Sequence, residues 1–176
     1  FNKTILRFLK TGIYRYLVLP YGKPIKFLDA NANKSIDFIG VNYYSHLAVN
    51  MNPFNPVESL QPVKGEELAE MGRYTIYPDG IYDAIKMTSE LDLPIYITEN
   101  GIGDSKDIHR GPFIKRSLFA ISEAIKNGFN VKGFYYWSLL DNFEWCLGYS
   151  QKFGLYEVNL ETQERRLREG GKEFQN

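Results

Sequence analysis

Glu99 closes a short apolar run, Pro94-Ile95-Tyr96-Ile97-Thr98-Glu99, and is followed directly by Asn100-Gly101. Such a run bounded by a turn pair predicts a short buried strand that ends on a carboxylate. Side chains alternate along a strand, so Ile95, Ile97 and Glu99 are expected on one face. A bare carboxylate beside apolar surface is costly unless it is hydrogen-bonded or chemically used. The segment alone leaves two readings open: a working carboxylate, or an acidic strand end that faces water before a turn.

Two more candidate strands end on polar or aromatic groups. Asp37-Phe38-Ile39-Gly40-Val41-Asn42-Tyr43-Tyr44 ends in Asn42 and Tyr44, and Val131 to Ser138 ends near Trp137. Alternation puts Phe38, Gly40, Asn42 and Tyr44 on one face of the first, and Tyr135 with Trp137 on one face of the other. Beyond Trp137 runs Ser138-Leu139-Leu140-Asp141-Asn142-Phe143-Glu144-Trp145, a loop with a second acid among aromatics.

Helices separate these strands. Residues 2–11 read as a short helix with Ile5, Phe8 and Leu9 on one face and Gly12 as a stop. Residues 13–36 read as irregular, with Pro20, Gly22 and Pro24. A long loop is expected from Ser45 to about Ile76, carrying Pro53, Pro56, Pro62 and Gly65. Pro78-Asp79-Gly80 opens a helix to about Glu90. Residues 112–127 read as a helix with Ile114, Leu118, Ile121 and Ile125 on its apolar face and Gly128 at the C-terminal cap. Residues 153–158 suggest a short edge strand.

Strand, helix, strand, helix, strand with near-continuous apolar strands indicates a parallel sheet covered by helices. Three strands are few for 176 residues and leave two open edges. The pattern is that of a segment of a larger sheet or barrel, whose ligands would bind at the C-terminal strand ends.

Bulk composition excludes several functions. Lys plus Arg and Asp plus Glu balance at 21 each, so nothing argues for nucleic acid or an anionic membrane. The basic cluster Arg165-Arg166-Leu167-Arg168 lies between Glu164 and Glu169 and reads as a solvated face. One cysteine, Cys146, rules out an internal disulfide and a cysteine metal cluster, and fits a reducing compartment such as the cytoplasm. No apolar run approaches a membrane span. Aromatics reach 15%, which serves a core first but also suits platforms for apolar sugar faces.

Ile97-Thr98-Glu99-Asn100-Gly101 and the segment Trp137 to Trp145 closely resemble the two C-terminal signatures of glycoside hydrolase family 1. Asp37 to Tyr44 resembles a third, and Tyr149-Ser150-Gln151-Lys152-Phe153-Gly154-Leu155 continues the match in order. The resemblance covers nearly the whole chain. It implies an α/β chain that supplies about strands six to eight of a TIM (β/α)8 barrel. Residues 1–176 would then be the C-terminal segment of one barrel domain, with an N-terminal part missing. It further implies retaining hydrolysis of β-glycosides, with no cofactor and no metal. The partners would be a small β-glycoside substrate and the N-terminal part of the same barrel.

Residue by residue, Glu99 matches the family's nucleophile, and Tyr44 a tyrosine that hydrogen-bonds and orients it. Asn42 matches a residue near the sugar 2-hydroxyl and the nucleophile. Glu144 and Trp145 match groups that bind the sugar's outer hydroxyls, Trp137 the aromatic floor, and Phe153 a pocket wall. Core packing stands as the alternative for Trp137 and Phe153, and an exposed loop acid for Glu144. The family's acid/base lies in an Asn-Glu-Pro motif, which this chain lacks; neither Asn55-Pro56 nor Glu58 fits it. Its glutamine and histidine sugar ligands belong to the N-terminal half and match neither His46 nor His109.

Members that act on phosphorylated sugars usually replace the Glu-Trp pair and carry a Ser…Lys-x-Tyr clamp. Here Glu144 and Trp145 remain and Phe153 stands at the tyrosine's place, which favours an unphosphorylated β-glucoside, with β-galactosides or β-fucosides also open. The loop after Gly101 is shorter than in many members, and Arg165-Arg166-Leu167-Arg168 replaces the usual Arg-x-Pro-Lys. Two other readings are an inactive or merely sugar- or protein-binding remnant of a barrel, and a thioglucoside-cleaving enzyme that needs no acid.

Overall fold

The computed structural model describes residues 2–17, 22–49, 60–70, 72 and 74–175. Pro20, Pro53, Asn55, Pro56 and Glu58, named above, lie outside the described residues. Helix α1 spans Asn2–Thr11 and is followed by a hairpin of β1, Ile13–Tyr16, and β2, Ile25–Leu28. The expectation of irregular chain over 13–36 is therefore corrected: β1 and β2 pair antiparallel, Tyr14 opposite Phe27. Their aromatic face packs edge-on and tilted against Phe8 of α1, a contact between segments that no local pattern announces.

The rest follows the predicted order. Strand β3 is Ile39–Asn42; two short strands, β4 at Ala48–Val49 and β5 at Leu60–Gln61, pair in the loop that follows. A 3-10 turn at Pro78–Gly80 leads into α2, Ile81–Thr88. Then come β6, Ile95–Asn100, α3, Arg110–Lys126, and β7, Val131–Tyr136. Strands β8, Tyr156–Val158, and β9, Arg165–Leu167, form a terminal hairpin, so the expected edge strand over 153–158 is shorter and pairs with β9. Gly128 sits at φ +87 beyond α3, a backbone region that a residue with a Cβ enters at a cost.

Strands β3, β6 and β7 form one parallel sheet with β6 in the centre. One face carries Val41, Ile95 and Ile97, which pack on Ile81 and Ile85 of α2 and Ala120, Ile121 and Ala124 of α3. Ile81, Ile85, Ile95 and Ile97 are fully buried, each stabilising the fold by about 1.5–3 kcal/mol. The buried stripe of α3 runs through Phe113, Ile114, Ser117, Ala120, Ile121 and Ala124. Leu118 and Ile125, expected on that stripe, are largely exposed instead. The small side chains of Ser117, Ala120 and Ala124 carry the contact, and the two larger residues fall at its border.

Among the described residues, the opposite face of the sheet is open. Phe38 and Tyr135 remain 54% and 58% exposed there. β3 and β7 are its two edges. Beside β3 runs an apolar groove of about 810 Å³ lined by α1, β3 and α2 residues such as Leu6, Leu9, Ile39 and Met87, with Phe38 just before β3. Among the described residues no helix is long and apolar enough to cross a membrane.

Candidate active site

A bulge in β6 decides where Glu99 points. Val41 pairs with Ile97, yet the next residue, Asn42, pairs with Glu99. On the other side, Ile97 pairs with Phe134 and Asn100 with Tyr136, so β6 again has one residue in excess. The extra residue reverses the alternation, as a bulge does. Glu99 thus leaves the face of Ile95 and Ile97 and stands beside Asn42 at the C-terminal edge of the sheet. The expectation that it shares the isoleucines' face is corrected for this reason.

The Tyr44 hydroxyl donates to Glu99 Oε2 at 2.8 Å, across 55 residues of sequence. Burial first, then the hydrogen bond to Glu99 and the charges of Glu99 and Glu144, push the Tyr44 phenol well above the usual tyrosine range. Tyr44 therefore keeps its proton and remains a donor at ordinary pH. Its ring meets Phe153 edge-on with centroids 6.3 Å apart. Phe153 is buried in this arrangement, whereas Trp145 is 84% exposed. Trp137 and Glu144 are half-buried and Asn42 is exposed.

The backbone around the acid is tightly keyed. The Trp137 N–H donates to Asn100 O at 2.9 Å, and the Ser138 N–H donates to Phe153 O at 3.3 Å. The Trp137–Ser138 peptide is cis. A Cβ at Gly101 would lie 1.9 Å from Trp137 O, so only glycine lets the two strand ends approach. Asn100 is fully buried, and its Nδ2 donates to Tyr43 O at 2.7 Å. The strand ends that carry Tyr44, Glu99, Trp137 and Phe153 are thereby joined into one rim.

Two buried arginines hold the loops behind that rim. Arg168 donates from Nη1 and Nη2 to the two carboxylate oxygens of Asp141 at 2.9 and 2.8 Å, and from Nη1 to Gly154 O at 2.7 Å. Burial pushes the Asp141 carboxyl up, but Arg168's hydrogen bonds and charge outweigh it and leave it below the usual carboxylate range. The solvated face expected for 165–168 holds for Arg165 and Arg166 but not for Arg168, which is buried. Its partner lies 27 residues away, beyond the reach of a local charge pattern. Arg110, wholly buried at the start of α3, donates to Asp104 O and Lys152 O and pairs with Asp107.

His46 stacks on Tyr77 with centroids 4.0 Å apart, and its Nε2 lies 2.5 Å from Glu66 Oε2. It is a partnered surface histidine beside the rim. Among the described residues, no group of three or more His, Cys, Asp or Glu is placed to hold a metal ion.

The C-terminal rim of the parallel sheet thus brings together a carboxylate, a phenol donor and several aromatic side chains. Comparison with known proteins identifies the family. The Glycosyl hydrolase family 1 profile matches residues 25–176, and the chain belongs to that family. It is 40% identical over 161 residues to a beta-galactosidase of Pyrococcus woesei, a match covering 81% of this chain and 31% of that protein. It is 35% identical over 181 residues to beta-glucosidase A of Thermotoga maritima, covering 94% of this chain and 40% of that protein. A beta-glycosidase structure from Pyrococcus horikoshii superposes with a TM-score of 0.79 at 37% identity, covering 97% of this chain and 39% of the other. The chain thus spans only about a third to two-fifths of the length of these relatives.

Proposed function

We propose that this chain is the nucleophile-bearing part of a retaining β-glycosidase that acts on unphosphorylated β-glucosides. The observation that carries the reading is the Tyr44–Glu99 hydrogen bond at the rim of the parallel sheet. Glu99 attacks the anomeric carbon and forms a glycosyl ester as the aglycone bond breaks. A carboxylic acid roughly 5 Å away protonates the departing oxygen, then deprotonates the water that frees the sugar with retained configuration. No Asn-Glu-Pro occurs in the sequence, so that acid is assigned to the N-terminal part of the same barrel. Strands β3, β6 and β7 would be strands six to eight of its eight.

Tyr44 holds the carboxylate in line. Asn42, the register partner of the acid, serves the 2-hydroxyl. Trp137 forms the floor, Phe153 the wall, and Glu144 with Trp145 the outer-hydroxyl grip. The Glu144 carboxylate accepts from sugar hydroxyls and repels a phosphate there.

The test is intact-protein mass spectrometry of the natural gene product after incubation with an activated 2-fluoro-β-glucoside. Its good leaving group makes labelling depend on the nucleophile more than on the acid. One glycosyl unit on the Glu99 peptide is expected. A well-folded, unlabelled product would instead favour a binding protein or a decayed enzyme.

A further inference from the structure

Thr98 is the residue displaced by the bulge, and its hydroxyl turns toward the neighbouring strand. There Thr98 Oγ1 donates to Asn42 Oδ1 at 2.7 Å. The room for this turn comes from Gly40: a Cβ on it would lie 3.1 Å from Thr98 Oγ1 and 3.2 Å from Thr98 Cγ2, tighter than ordinary contact. Gly40, Asn42 and Thr98 therefore share the open face, and Asn42 stands beside Glu99 in the register.

A planar amide has one accepting end and one donating end. Once Oδ1 is engaged by Thr98, the Nδ2 end is left to point elsewhere, with two N–H donors. Those donors suit a carboxylate and a sugar hydroxyl. Because a hydroxyl can also accept from Nδ2, the Glu99 carboxylate beside Asn42 completes the choice: a flipped amide would turn its carbonyl toward that carboxylate, two negative ends together. We infer that Thr98 is a positioning residue that, together with the charge of Glu99, holds the Asn42 amide with its carbonyl toward Thr98, so that an N–H is presented to the substrate 2-hydroxyl. The inference rests on the proposed glycosidase reading of the same site, and adds to it a residue that touches neither substrate nor reacting atoms.

The experiment compares the natural gene product with its Thr98→Val and Thr98→Ser variants on an aryl β-glucoside and the matching aryl 2-deoxy-β-glucoside. Valine keeps the shape and removes the hydroxyl; serine keeps the hydroxyl. Thr98→Ala is run beside valine so that a folding failure of one variant leaves the other. The expected result for valine or alanine is a roughly 10- to 100-fold loss of kcat/KM on the glucoside, the loss of an interaction strengthened in the transition state. Little change is expected on the 2-deoxy substrate, and serine should recover most of the activity. In an Asn42→Ala background the same change should add nothing, because the two residues act as one unit.

Equal losses on both substrates would mark Thr98 as merely structural, and unchanged kinetics in a folded variant would remove its role. Either result overturns the inference, while labelling of Glu99 in the unmutated protein independently decides the reading beneath it.

Discussion

Tyr44→Phe removes a single hydrogen bond to a carboxylate and leaves the ring against Phe153 in place. Bonds to charged groups contribute about 1.5–3 kcal/mol, so kcat/KM of the natural gene product should fall roughly 10- to 100-fold. The fold should be unaffected by circular dichroism. Because the phenol is held far above its ordinary value of 10.0, it does not titrate within a working pH range. The alkaline limb of the pH–rate profile should therefore persist in Tyr44→Phe; its disappearance would assign that limb to Tyr44. Glu99→Gln keeps the size and removes the charge that the proposed nucleophile needs. Turnover should be abolished with little change in melting temperature, and retained turnover would take the nucleophile role from Glu99.

At the scale of elements, the loops around the rim depend on the Asp141–Arg168 pair, whose side chains are only 2% and 7% exposed. Asp141 Oδ1 also accepts the Gly154 N–H at 3.0 Å, so one carboxylate ties the loop after β7 to the segment that carries Phe153. Breaking a buried pair from one side costs about 3–5 kcal/mol, and Asp141→Asn should lower stability by that order in urea titrations of the natural gene product. The pH dependence has a defined sign. Asp141 is held below its ordinary value of 3.8 in the fold. Its contribution is present above that value and is lost as pH falls through the lowered folded value. Asp141→Asn should therefore flatten the acid-side fall of stability; an unchanged acid limb would show that other carboxylates set it.

For the whole molecule, the open face and the two edges of the sheet, β3 and β7 among the described residues, matter most. Phe38 and Tyr135 stand in the open on that face, and the apolar groove follows β3. Unpaired edges and large exposed apolar surface promote association. The chain produced alone should therefore form aggregates in light scattering and melt without cooperativity. Supplying the N-terminal part of the barrel should restore a sharp transition. A monodisperse, cooperatively melting solution of this chain alone would sink the view that the sheet is completed by further strands.

The positions of β3, β6, β7, α2 and α3 were legible from apolar runs, turn pairs and caps, because burial writes a period of two or 3.6 into a sequence. Motifs alone named Asn42, Tyr44, Glu99, Trp137, Glu144, Trp145 and Phe153 as candidates; the structure brings Tyr44 to Glu99 and Phe153, and Asn42 opposite Glu99. Which face Glu99 occupies was not legible, since strict alternation put it with Ile95 and Ile97 and one extra residue in β6 reversed it. The hairpin of β1 and β2 escaped for a related reason: it packs on Phe8 of α1, and its cue is a partner, not a period. The same holds for Arg168, whose buried role exists only because the fold brings Asp141 to it. Residue types, spacings and element order are properties of the chain taken along its length. Registers, bulges and buried ion pairs come from what lies alongside, and only the tertiary structure decides them.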